Sequence, residues 1–139
     1  DTAHMTWYKK VISPESSYRV RVVFGDDAPF GVIYLTDIDR YAASASWGMY
    51  IGEADFRGRG LGMRMLTELL LWGFEELDLF RMYTSVLDGN ERALNIYAKA
   101  GFRVEGTWRK HVLCADGQRR DLIWIGMFQE EWKKSIKFQ

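Results

Sequence analysis

The sequence predicts an α/β domain, a mixed β-sheet with helices packed against it, and three observations carry that expectation. Short apolar or alternating runs bounded by turn residues recur along the chain, and one longer run, 61–77, has helical spacing instead. Apolar residues are 47% and aromatics 15% of the 139 residues, which excludes disorder and is enough for one core holding about two-thirds of the unfolded surface. The runs follow one another as β-β-β-α-β-α-β-β, an order that fits a mixed sheet rather than a bundle.

Each element has its own signal. "DTAHMTWYKKVI", 1–12, reads as the end of a helix, with Met5, Tyr8 and Ile12 roughly on one face. In "YRVRVVF", 18–24, Val20 and Val22 alternate with Arg19 and Arg21, which is a strand. "GDDAP" supplies turn chemistry before a second, more apolar strand, "FGVIYLTDI", 30–38. "SASWGMYIGE", 44–53, is the third strand. In 61–77, Leu61, Met65, Leu66, Leu69, Leu70, Phe74 and Leu77 recur at helical spacing. "RMYTSVL", 81–87, is a strand. "DGN" then caps a short helix, "ERALNIYAKA", which Gly101 ends. "FRVEGTWRKHVL" and "RRDLIWIGMFQ" read as two long strands joined by the turn "CADGQ".

Composition narrows the function classes. Nineteen basic and 19 acidic residues cancel, which argues against a general nucleic-acid or anionic-membrane binder. Cys114 is the single cysteine and there are two histidines, so neither an internal disulfide nor a zinc cluster is expected. These features fit a cytoplasmic protein.

The stretch "EADFRGRGLGMRML", 53–66, sets Gly58, Gly60 and Gly62 beside Arg57 and Arg59, directly between a strand and a long helix. A flexible connector is the simplest reading. A helix N-terminus, however, presents unpaired N–H groups and partial positive charge, and glycines let that backbone approach an anion closely. The two arginines add mobile charge, so a pyrophosphate cradle is the better use of the loop. A P-loop would need Gly-Lys-Ser/Thr, where Leu61-Gly62-Met63 stands; a dinucleotide fingerprint from Gly58 would need Gly or Ala at Met63. ATP and NAD are therefore disfavoured.

Arg57-Gly58-Arg59-Gly60-Leu61-Gly62 resembles the Arg/Gln-x-x-Gly-x-Gly/Ala loop of the GNAT superfamily of acetyl-CoA-dependent N-acetyltransferases. "NERALNIYAKAGF", 90–102, is similar to that family's Asn-x-x-Ala-x-x-x-Tyr-x-x-x-Gly-Phe motif at the expected distance. The resemblance covers nearly the whole chain as a single domain, 1–139, without a counterpart of the family's first strand and first helix. It implies a mostly antiparallel central sheet splayed around an acetyl-CoA site, with flanking helices.

The resemblance also implies roles. Residues 57–62 hold the cofactor's pyrophosphate. Tyr50 aligns with the backbone donor to the thioester oxygen, and Met49 and Ile51 flank it to pair with pantetheine; an ordinary core strand is the plain alternative. Tyr97 aligns with the general acid to the CoA sulfur, against a core aromatic as the plain alternative. Asn90 is an N-cap that also contacts the cofactor, and Lys99 is a solvated charge within reach of its phosphates. The base that takes the amine's proton is undeclared, with Glu53 first and His4 second. Trp7, Trp47 and Trp108 are candidates for shaping the acceptor pocket, or for packing.

For the acceptor, Gly31-Val32-Ile33 and the Trp47-Gly48-x-Tyr50 element look like the branch that acetylates the 4-amino group of a UDP-linked amino sugar in pseudaminic acid synthesis. The tail, with "VEG" and "GQRRD", is also similar to spermidine and ribosomal-protein acetyltransferases. The expected partners are thus a small-molecule amine, with a nucleotide sugar first, and a second copy of the chain as a homodimer partner; neither nucleic acid, membrane nor metal is expected. A CoA-binding module without catalysis is the contrasting class, and the retained Tyr97 speaks against it.

Overall fold

The computed structural model describes residues 17–24, 29–51 and 60–137. The expected N-terminal helix, the 25–28 turn and most of the glycine loop lie outside them. Six strands form one sheet: β1 Arg19–Phe24, β2 Pro29–Asp39, β3 Ser44–Ile51, β4 Arg81–Leu87, β5 Arg103–Leu113 and β6 Arg119–Phe128, in the spatial order β1-β2-β3-β4-β6-β5. The helices are α1 Leu61–Leu70, α2 Glu91–Ala100 and α3 Gln129–Lys137. The expected mixed α/β sheet with flanking helices is what the chain forms, and every pairing is antiparallel except β3 with β4.

Two elements depart from the sequence expectation. The 61–77 helix loosens after Leu70 into a wider π-helical segment, Leu71–Glu76, where Gly73 lies against the Met82 sulfur; a Cβ there would stand 2.3 Å from it. Helix α3 was not expected. It carries Trp132, which stacks on Phe74 at 5.5 Å, and its first residue, Gln129, donates to the Phe74 carbonyl at 2.8 Å and the Asp78 carboxylate at 2.7 Å. Amphipathic spacing over nine polar-rich residues is a weak signal, so packing rather than propensity makes this helix.

The core lies on the helix-bearing face. Ile33 and Leu35 of β2, Ala45 and Trp47 of β3, Met82 and Val86 of β4, and Ile125 and Met127 of β6 point into it by strand alternation. Met65, Leu66, Leu69 and Leu70 of α1 close over them.

The feature that makes a site is the partial β3–β4 ladder. The two strands pair in parallel only at Ser44–Arg81, Ala45–Met82 and Ser46–Tyr83. Beyond that point β3 runs on to Ile51 beside β2, while β4 runs on to Leu87 beside β6. At the fork the Thr84 hydroxyl donates to the Trp47 carbonyl at 2.8 Å, closing the ladder where the strands part. This is the splay that the sequence resemblance implied.

Candidate active site

A cavity of about 460 Å³ opens at the splay on the helix side, within the range of small-molecule sites. The last residues of β3 (Met49, Tyr50, Ile51), the start of α1 (Gly60, Gly62, Met63) and one face of α2 (Asn90, Arg92, Ala93, Ile96, Tyr97, Lys99) line it. Three sequence-distant elements therefore meet at the point that the motifs single out.

Helix α1 begins at Gly60, whose φ of 75° lies in the left-handed region that glycine adopts without strain. Among the described residues no side chain caps this end and its first turn carries no acidic residue, and Gly60, Gly62 and Met63 bring the positive end of the helix dipole to the cavity. Gly62 approaches α2, where a Cβ would stand 3.6 Å from Ile96. The Leu61 side chain packs against the core and is absent from the cavity lining, which leaves its backbone N–H as the group at the helix start. Arg57, Gly58, Arg59, Glu53, His4 and Trp7 lie outside the described residues.

Helix α2 is set by its caps. Asn90 Oδ1 accepts the Ala93 N–H at 3.3 Å, and Gly101 ends the helix with φ 115° while the Phe102 N–H returns to the Tyr97 carbonyl at 3.0 Å. The caps fix the rotation that turns Ala93, Ile96 and Tyr97 to the cavity. The Tyr97 ring meets Trp47 edge-on at 5.0 Å and Phe102 at 6.3 Å. Burial, and then the neighbouring Tyr34, raise its phenol above the ordinary tyrosine pKa, so it is a proton donor throughout the neutral range.

The direction of the β3 backbone bears on the expectation that Tyr50 is the backbone donor. In an antiparallel ladder, successive residues turn their N–H and C=O alternately toward and away from the partner strand. The Trp47 carbonyl faces β4, since Thr84 bonds it there. The β2–β3 register is unbroken from Ser46 to Ile51, so Met49 shares the orientation of Trp47 and Tyr50 has the opposite one. The Tyr50 carbonyl accordingly faces β2, where it would stand 2.5 Å from a Cβ on Gly31. The backbone N–H presented to the gap at this level belongs to Met49. The Tyr50 side chain is 58% exposed on the sheet face away from the helices.

Two of the tryptophans weighed for the acceptor pocket take the packing alternative in the described structure. Trp47 is 3% exposed and belongs to the core under Tyr97, because its register position is core-facing. Trp108 sits on β5 against Trp124 and His111, both at 4.9 Å, on the sheet face opposite the helix-side cavity. Sequence reasoning missed Met63, Arg92, Ala93 and Ile96 of the lining, and the Thr84 hydroxyl. Ile96 was accessible, since Ala93, Ile96 and Tyr97 are spaced i, i+3, i+4.

A family model described as an acetyltransferase (GNAT) domain matches residues 2–103. The chain belongs to the GNAT acetyltransferase family. Spermidine N(1)-acetyltransferase of Escherichia coli is 33% identical over 125 residues, which are 90% of this chain and 66% of that protein. The acetyltransferase PseH of Campylobacter jejuni is 28% identical over 101 residues, 73% of this chain and 60% of that protein. The chain thus spans just under two-thirds of the length of these curated relatives. Among solved structures, the spermidine/spermine N-acetyltransferase SpeG of Vibrio cholerae superposes with a TM-score of 0.88 at 22% identity, covering 96% of this chain and 78% of that one. The fold is that of GNAT acetyltransferases, and members of this family take their acetyl group from acetyl-CoA. The superfamily expected from the motifs is confirmed; the amino-sugar branch is one among several similar branches.

Proposed function

We propose that the domain transfers the acetyl group of acetyl-CoA to a primary amine by direct attack, the acceptor being the amino group of a nucleotide-linked amino sugar. The observation that carries the transfer is the meeting of the Tyr97 phenol, the Met49 N–H and the α1 N-terminus around one cavity at the splay. That cavity suits a long phosphate-bearing thioester. Gly60 and Gly62 keep the helix start free of side chains, and Arg92 and Lys99 supply positive charge from α2. The bound thioester supplies the electrophilic carbonyl. The amine forms the C–N bond as the C–S bond breaks; the Met49 N–H offsets the charge growing on the carbonyl oxygen, and Tyr97 protonates the leaving sulfur. The proton lost by the amine passes to solvent or to a base, for which Glu53 and His4 remain the candidates.

The acceptor reading is supported by the sheet face opposite the helices, which offers rings and hydroxyls near the fork: Tyr34, Ser46, Tyr83 and Ser85. Spermidine is the second reading, favoured by the 33% identity to the E. coli enzyme. A polycation calls for several paired carboxylates. Asp37 and Asp39, which act electrostatically on Tyr83, and Glu105, already paired with Arg81, are the acids that the described residues bring to this face. Self-association belongs to the same proposal, one similar solved structure being described as dodecameric. No described helix is long and apolar enough to cross a membrane.

The test is thiol release from acetyl-CoA with a UDP-linked 4-amino sugar and with spermidine in parallel. The expected result is a kcat/KM at least tenfold higher for the sugar. A reversed preference replaces the acceptor, and release with no amine in a wider panel refutes the transfer.

A further inference from the structure

Gly48 is occupied by something other than its own side chain. A Cβ built there would stand 2.2 Å from both Cζ and Oη of Tyr34, and 2.5 Å from Cε2. Tyr34 pairs directly with Gly48 in the β2–β3 register. The phenol of Tyr34 therefore lies across β3, its hydroxyl end resting on the Gly48 backbone, and only glycine admits it.

The position matters because of what stands around it. Gly48 is two residues past Ser46, the last residue of β3 paired with β4, so the hydroxyl lies beside the opening of the splay. Trp47, one residue earlier, turns to the opposite face and meets Tyr97 edge-on at 5.0 Å. Consecutive residues of a strand point to opposite faces. Two phenols thus flank β3 at the same level: Tyr97 on the helix side, with the cavity, and Tyr34 on the far side. They are near enough that Tyr34 is felt electrostatically at Tyr97.

We propose that Tyr34 contacts the acceptor: its hydroxyl accepts a hydrogen bond from an N–H of the attacking amine and aims the nitrogen lone pair through the splay at the thioester. The inference rests on the acetyl-transfer reading and adds to it the side of attack and the residue that orients it. The helix face is taken up by the elements suited to the thioester and its phosphates, so the amine arrives from the other face. There a phenol is fixed within a fraction of its own length by the backbone beneath it. Orientation of this kind acts on the rate as well as on binding, since a misdirected lone pair does not react. No proton need be lost by Tyr34. The amine's surplus proton passes to solvent or to a base once the C–N bond forms, and Tyr97 supplies the one that the leaving sulfur takes.

The experiment is Tyr34→Phe, which keeps the ring on Gly48 and removes one oxygen. The probes are the UDP-linked 4-amino sugar and spermidine with acetyl-CoA as donor. The expected result is a 10- to 100-fold fall in kcat/KM for whichever amine the wild type acetylates, with acetyl-CoA affinity by calorimetry and the melting temperature both held. A merely structural Tyr34 would lower the melting temperature and leave turnover per folded molecule intact. Gly48→Ala pushes the phenol aside with its hydroxyl still present; it should reproduce the kinetic loss, and the double variant should be no worse than Tyr34→Phe. Unchanged kcat/KM in Tyr34→Phe, or a loss explained by weakened acetyl-CoA binding, overturns the role of Tyr34 while leaving the transfer reading in place. A wild type that binds acetyl-CoA and acetylates neither these probes nor any amine of a wider panel overturns both.

Discussion

Replacing Tyr97 by Phe is the sharpest test of the chemistry, because the structure says what the change removes and what it leaves. The ring keeps its edge-on contact with Trp47 and its contact with Phe102. The helix end is untouched, since the Phe102 N–H bonds the Tyr97 backbone carbonyl rather than the hydroxyl. Folding should change by less than about 1 kcal/mol, the net worth of one hydroxyl hydrogen bond. The reaction should change far more. General acid catalysis contributes typically 10² to 10⁴-fold, so kcat should fall by that factor, roughly 3 to 5 kcal/mol of barrier. Acetyl-CoA affinity should hold, because the proton is needed only as the sulfur leaves. The raised pKa gives a second readout. Burial favours the neutral phenol, so the acid remains protonated past the ordinary tyrosine value and is lost only as pH rises through its raised one. Wild-type kcat should therefore show no alkaline limb between about pH 7 and about pH 9. Steady-state kinetics, calorimetry and thermal melting on one preparation separate the possibilities. Full turnover by the Phe variant, or a lower melting temperature with normal turnover per folded molecule, would refute the assignment.

Three further outcomes follow from the fork in the sheet. Tyr50→Phe should keep activity within about twofold, because the side chain is exposed and the backbone donor at this level is Met49; a loss near that of Tyr97→Phe would show the Tyr50 hydroxyl in the chemistry. Thr84→Val removes the hydroxyl that bonds the Trp47 carbonyl at 2.8 Å and leaves that acceptor unpaired, so denaturant unfolding should show a loss of about 1 to 2 kcal/mol; unchanged stability would mean that the bond does not hold the fork. Gly48→Ala should cost about 1 to 3 kcal/mol through its clash with Tyr34, and the cost should vanish in a Tyr34→Ala background; a persistent cost would place the strain elsewhere.

Much of this fold was legible from local pattern. Strand β4 and helix α2 fall where alternation, the Asn90 cap and the Gly101 stop put them, because each is specified by residues within one element. Helix α3 was not, since its apolar anchor, Trp132, finds its partner Phe74 far away in sequence. The site divides the same way. Gly60, Gly62, Asn90, Tyr97 and Lys99 line the cavity as the two motifs suggest, whereas Arg92 carries no signal that distinguishes it from a solvated charge.

The choice of backbone donor shows why a motif alone cannot finish the argument. A sequence gives the alternation of side chains along β3, but not which set of N–H groups turns to β2 and which to the gap. That choice belongs to the pairing register, and here one non-local bond decides it, from the Thr84 hydroxyl to a carbonyl 37 residues earlier in the chain. With the Trp47 carbonyl committed to the β4 side, Met49 must face the gap and Tyr50 must face away. The same register sets Tyr34 across Gly48 and so decides what stands on the far side of the opening. A strand edge facing an open gap is normally a liability, because its amides are left to pair with any passing strand. Here the gap lies inside the sheet, and the α1 start and α2 wall its helix side. On the proposed reading, an extended ligand with amides of its own pairs there as a missing strand would, which would bring its reactive end between the two phenols.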